Sequence, residues 1–156
     1  MSEARTRAPE GIVFVDASWD VRQSYRSDPL LDRFFAELRD GRLMGGEVPG
    51  TGRVIFPPRS FCELSFRQVD RLVPVGPGGT VRGFTRLAVK LANGPPPPAV
   101  IVHVQLDGAD TASPGYLRGD IVSADPPPPL IGARVRAVFK ENPDGDWTDF
   151  WFEMEE

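Results

Sequence analysis

The stretch Gly52-Arg53-Val54-Ile55-Phe56-Pro57-Pro58-Arg59-Ser60-Phe61-Cys62 decides how the rest of the chain is read. Its first part, 53–56, has strand character, and two consecutive prolines stop it because proline cannot donate to a sheet ladder. The surrounding residues 41–66 are rich in Gly and Pro between short apolar pieces, which predicts a compact, loop-rich module. On its N-terminal side the sequence predicts one helix. Asp28 is a good N-cap, Pro29 suits the first helical position, and Gly41 is placed to end the helix. Leu30, Leu31, Phe34, Phe35 and Leu38 recur at helical spacing, leaving Asp32, Arg33, Glu37 and Arg39 on the other face. Further N-terminal, 12–15 is a short strand candidate, and Trp19 and Tyr25 mark 1–27 as an extension that packs on something.

On the C-terminal side the period changes to that of strands. Candidates fall at 69–75, 80–91, 99–106, 121–124, 133–140 and 147–154, and the proline runs 95–98 and 126–129 must lie in connections. Five or six short strands in this span predict a small closed or nearly closed barrel. Composition agrees. With 17 Pro and 16 Gly in 156 residues, the chain has far more helix-breaking positions than the roughly 12% of average usage. Hydrophobic residues at 40%, ten Phe among them, still supply a core.

Charge and cysteine usage narrow the function. The net charge of −4 argues against a simple polyanion binder, whose affinity comes from phosphate neutralisation. The apolar runs are too short for a membrane span or a signal peptide, and a single cysteine, Cys62, excludes an intrachain disulfide and fits the cytoplasm. Catalytic groups are few. His103 is the sole histidine, and alternation along 99–106 puts it with Ile101 and Gln105, opposite Val100, Val102, Val104 and Leu106. A solvated residue on the outer face of a strand is the expected state, and Cys62 is expected to be a small buried thiol. The acidic stretches 107–110 and 142–146 lack the ligand pattern of a calcium loop and read as turns. Residues 76–80 lack the Lys of a phosphate loop and read as a hairpin or bulge.

The central block resembles a family of proteins with a rubredoxin-like zinc ribbon followed by an OB-fold, partners of thiolases and related acyl-CoA condensing enzymes. In that family a helix of this type precedes a ribbon of form C-x2-C-G-R-x-x-x-P-P-R-x-x-C-x2-C. Superposing Gly52 and Pro57-Pro58-Arg59 puts the four ligand positions at Val48, Thr51, Cys62 and Ser65, so the spacing is kept and three thiols are lost. The expectation is a degenerate, metal-free ribbon with zinc absent, packed instead by Val48, Ile55, Phe56, Phe61, Leu64 and Phe66. Later segments, 79–85, 98–108, 117–122 and 131–139, resemble the family's barrel strands.

The resemblance implies a mainly β protein: an extension (1–27), an N-terminal helix (28–41), the ribbon (42–68) and an OB-fold domain (69–156). It implies a noncatalytic accessory subunit that forms a hetero-oligomer with a thiolase-fold enzyme and helps hold a CoA ester, with no cofactor of its own, no catalytic residue, no nucleic acid and no membrane. CoA offers phosphates to guanidinium groups and an adenine to aromatic rings. Candidate contacts with CoA or the partner are Arg59 and Phe61 in the ribbon and Arg82, Phe84 and Arg86 on one face of the first barrel strand. The rival readings are a single-stranded nucleic-acid-binding OB-fold and a stand-alone acyl-CoA enzyme.

Overall fold

A computed structural model describes residues 28–88, 94–124 and 130–155. The expectations for 12–15, Trp19, Tyr25 and 126–129 lie outside the described residues.

Helix α1 (Pro29–Arg39) begins as its sequence requires: the Asp28 carboxylate accepts from the amides of Leu30 and Leu31, and Gly41 follows the helix at φ 71°. Leu30, Phe34 and Leu38 are buried. Three strands form the ribbon sheet, β1 (Met44–Glu47), β2 (Val54–Ile55) and β3 (Arg71–Pro74), antiparallel in the order β2-β1-β3. The sheet thus takes its third strand from the segment the sequence assigns to the barrel.

Five strands close the barrel: β4 (Gly78–Leu87), β5 (Ala99–Leu106), β6 (Ala112–Leu117), β7 (Arg134–Phe139) and β8 (Phe150–Met154). They run β4-β5-β6-β8-β7 around the barrel, antiparallel except for the β6–β8 contact at Leu117 and Phe152. This is the five-stranded OB arrangement. Val81, Val102, Val104, Leu106, Val135 and Phe152 fill the interior with essentially no exposure, and closure covers most of the sheet edge that an open sheet would leave unpaired.

Two strands escape the sequence reading for a packing reason. In β1, a Cβ on Gly45 would lie 2.5 Å from Val54 Cγ1, and one on Gly46 2.8 Å from Val69 Cγ1. Glycine is needed for close approach, yet it erases the apolar alternation that marks a strand. In β6, a Cβ on Gly115 would lie 2.5 Å from the Phe152 ring. Its neighbour Pro114 is tolerated because β8 meets β6 only near Leu117, which leaves that side of Pro114 unpaired. The strand expected at 121–124 is instead a short 3-10 helix, Asp120–Ser123, entered through Gly119 at φ 108°. The segment expected as a strand at 147–154 starts with a 3-10 turn, Trp147–Asp149.

Ribbon, helix and barrel are tied by specific contacts. Val54 and Asp110 exchange two hydrogen bonds of 2.8 Å, amide to carboxylate and amide to carbonyl. The Thr111 hydroxyl accepts from the Phe56 amide at 2.8 Å and donates to the Phe56 carbonyl at 2.7 Å. The turn after β5 therefore lies along β2 as a further strand would. Across the molecule, the Trp147 ring packs against Phe34 and Phe35 with centroids 5.2 and 5.4 Å away. Beneath it, the fully buried Asp149 carboxylate accepts from the amides of residues 144, 145 and 146 and pairs with Lys140 at 2.7 Å. Burial pushes the Asp149 pKa up, but the Lys140 ammonium and the amides outweigh it and hold the pKa at about 2.

Candidate interaction site

The ribbon is built on two tight turns. In the first, the Val48 amide donates to the Arg53 carbonyl at 2.8 Å. In the second, the Cys62 amide donates to the Arg67 carbonyl and the Phe66 amide to the Cys62 carbonyl, both at 2.9 Å, and Phe61 bridges Gln68. Two such turns, side by side, are what a tetrahedral metal requires of a ribbon.

The side chains at the four superposed positions do not fit zinc. Val48 is fully buried and carries no donor atom. The Thr51 hydroxyl is engaged, accepting from the Arg53 amide at 3.1 Å and donating to the Val48 carbonyl at 3.0 Å. Cys62 is buried, with Arg53 Nη1 at 3.6 Å from its sulfur, while Arg53 Nη2 donates to Glu63 at 3.1 Å. The Arg53 guanidinium thus links the first turn to the second. The Ser65 hydroxyl meets no partner at hydrogen-bonding geometry. Its dipole, followed by the amides of Ser65 and Leu64 and the Arg53 charge, holds the Cys62 pKa below its ordinary value despite burial. Among the described residues no group of three or more metal-ligating side chains comes together.

One part of the expected ribbon packing is overturned. Val48 and Ile55 are buried in a small ribbon core with Leu30, Cys62 and Val69, whereas Phe56 is buried in the larger cluster that joins Phe34 to the barrel interior. Phe61, Leu64 and Phe66 are not in it; they are 49%, 71% and 76% exposed. Phe66 sits at φ 57°, and its ring meets that of Phe61 on the surface.

The expected barrel site is also rearranged. Val81 pairs with Val104 and Gly83 with His103, so Arg82 is the extra residue of a β-bulge. The bulge reverses the alternation. Phe84 and Arg86 pair with Val102 and Val100, on the side that the barrel interior uses, whereas Arg82 turns the other way to bond Gln105 at 2.9 Å. The three do not share one face. Arg86 is moreover engaged, donating to the carbonyls of Val122 and Ala124 at 2.7 and 2.9 Å, where it anchors the 3-10 helix at the barrel mouth. Phe84 is 38% exposed at that mouth. Close by, Arg86, Leu87, Ala88, Pro97 and Pro98 line an open depression of about 410 Å³. Arg59 is exposed in the ribbon and lies 3.6 Å from Glu63, and the Phe61 ring packs edge-on against Phe66 at 5.7 Å. His103 is exposed on the outer barrel face, as its position in the alternation requires. The residues the sequence reading missed are Arg53, whose role depends on where a flexible side chain reaches, and Phe66, whose backbone conformation has no sequence signature.

A two-turn ribbon clamped to a five-stranded barrel defines the class, a ribbon-plus-OB-fold protein. Residues 35–68 match the family described as the ChsH2 rubredoxin-like zinc ribbon domain, and 72–140 match the ChsH2 C-terminal OB-fold domain. The chain belongs to the ChsH2 family. Two solved structures share the fold. A protein of unknown function from the DUF35 family of Sulfolobus solfataricus is 20% identical with a TM-score of 0.59, over 81% of this chain and 86% of that one. A structure described as the Ltp2-ChsH2(DUF35) aldolase is 18% identical with a TM-score of 0.63, over 84% of this chain and 98% of that one. No curated protein gives a significant sequence match.

Proposed function

We propose that this protein is a noncatalytic accessory subunit of a thiolase-like, acyl-CoA-processing enzyme in the cytoplasm, and that it supports assembly and CoA-ester binding. Membership of the ChsH2 family carries the reading, since a relative of this fold occurs in a structure described as an aldolase of Ltp2 and ChsH2. The chemistry is consistent with it. The sole histidine is exposed on the outer barrel face and the sole thiol is buried in the ribbon, so the two form no nucleophile–base pair. Among them too, no helix is long and apolar enough to cross a membrane. For the CoA ester, Arg59 with Phe61 offers a cation and a ring, and the open depression near Phe84 offers apolar groups. Arg82 and Arg86 already have protein partners, which makes them supports for that surface. The ribbon acts without zinc, because its donor set does not suit the ion.

Co-expression with each thiolase-like protein of the source organism tests this. One of them should co-purify at a fixed ratio and gain activity on acyl-CoA esters. Separate migration of every such pair, with unchanged activity, overturns the reading.

A further inference from the structure

The second ribbon turn presents apolar side chains that the fold does not use. Phe61, Leu64 and Phe66 are all largely exposed, and the two rings hold each other edge-on at 5.7 Å. Phe66 is the one non-glycine residue among those described with a positive φ, 57°. A bulky residue there is costly to the backbone and glycine is not. Stability alone would favour glycine at this position. The Phe66 amide to Cys62 carbonyl bond and the Cys62 amide to Arg67 carbonyl bond fix the turn, so the ring is held outward in a set position. Strain retained to present an exposed ring is the pattern of a binding site.

The surrounding charge indicates what binds. Residues 48–68 hold Arg53, Arg59 and Arg67 against Glu63 alone, a basic island in a chain of net charge −4. Glu63 is paired with Arg53 at 3.1 Å and with Arg59 at 3.6 Å. Arg67 reaches over the first turn to the Pro49 carbonyl at 2.9 Å. An aromatic centre with an arginine rim is the composition of a protein interface. We propose that this turn docks the enzyme subunit, which meets it with an apolar socket rimmed by Asp and Glu carboxylates. The proposal rests on the accessory-subunit reading and names the surface it uses. A second copy is a poor occupant, because a two-fold contact would set two basic rims together. An anionic membrane is poorer than a protein, because Glu63, between Phe61 and Leu64, would be pressed against lipid phosphates.

The test uses the full chain, wild type and the variant Phe61→Ser/Leu64→Ser/Phe66→Gly, with the thiolase-like protein that co-purifies with wild type. Circular dichroism should give the variant a Tm equal to or above that of wild type, and its affinity for the enzyme should fall at least a hundredfold. Undiminished binding by the folded variant overturns the surface alone, whereas failure of wild type to bind any thiolase-like protein overturns the accessory reading and the surface with it. The surface is also reassigned, and the proposal overturned, if the mutations abolish self-association of wild type or its sedimentation with phosphatidylserine vesicles instead.

Discussion

The ribbon and the barrel solve the same problem of stability with unequal means. The barrel core contains Val81, Val102, Val104, Leu106, Val135 and Phe152 at essentially zero exposure, inside a sheet closed into a barrel. The ribbon core is five buried side chains, Leu30, Val48, Ile55, Cys62 and Val69, and one of them is lent by the helix. At about 1.5–3 kcal/mol for each fully buried large apolar side chain, five cannot offset the entropy of ordering the ribbon alone. In a ribbon with four metal ligands, bound metal makes up such a deficit. Here the balance comes from neighbours: Asp110 and Thr111 along β2, α1 above the sheet, and Arg53 between the two turns. A ribbon with one thiol at the four superposed positions is expected to depend on the barrel, and the two should unfold together.

The largest expected effect breaks the stronger half. Phe152→Ala removes the ring that lies against Gly115 and packs edge-on to Phe150 at 5.8 Å, and should cost about 3–5 kcal/mol in urea unfolding, enough to melt ribbon and barrel in one transition. Next comes Asp149, at the loop where Trp147 meets the helix. Its folded pKa of about 2 lies below the usual carboxylate value near 3.9, so its contribution is present above pH 4 and is lost as pH falls toward 2. Acid titration of stability should show roughly 2 kcal/mol of loss across that window, and Asp149→Asn should lower stability at pH 7 and flatten the acid limb. Thr111→Val cuts the strap between the halves. It leaves the Phe56 amide without its acceptor and should cost about 1–2 kcal/mol, with hydrogen exchange rising first at Val54–Ile55. The smallest effect sharpens the comparison most: excess EDTA should leave Tm unchanged and elemental analysis should find no zinc, whereas about one zinc per chain would contradict the ligand assignment.

Much of this architecture was legible in the chain. The helix carried its own cap, stripe and stop, and β5 and β7 carried the alternation or apolar content that defines them. β1 and β6 did not, because Gly45, Gly46, Gly115 and Pro114 were chosen by close packing, which local pattern cannot express. The ribbon's spacing was visible through Pro57-Pro58-Arg59, while the exposure of Phe61, Leu64 and Phe66 was not, since an apolar residue in a tight turn looks the same whether it points in or out. The barrel site failed on one residue. The bulge at Arg82 shifts the register by one, which is enough to part Arg82 from Phe84 and Arg86.

The proposed accessory role is tested most directly by titrating the purified chain into the thiolase-like protein that co-purifies with it and following turnover of an acyl-CoA ester. Activity should climb to a plateau at a fixed molar ratio, and the chain alone should turn over nothing. Turnover by the isolated chain, or a partner whose rate does not respond, would contradict the account.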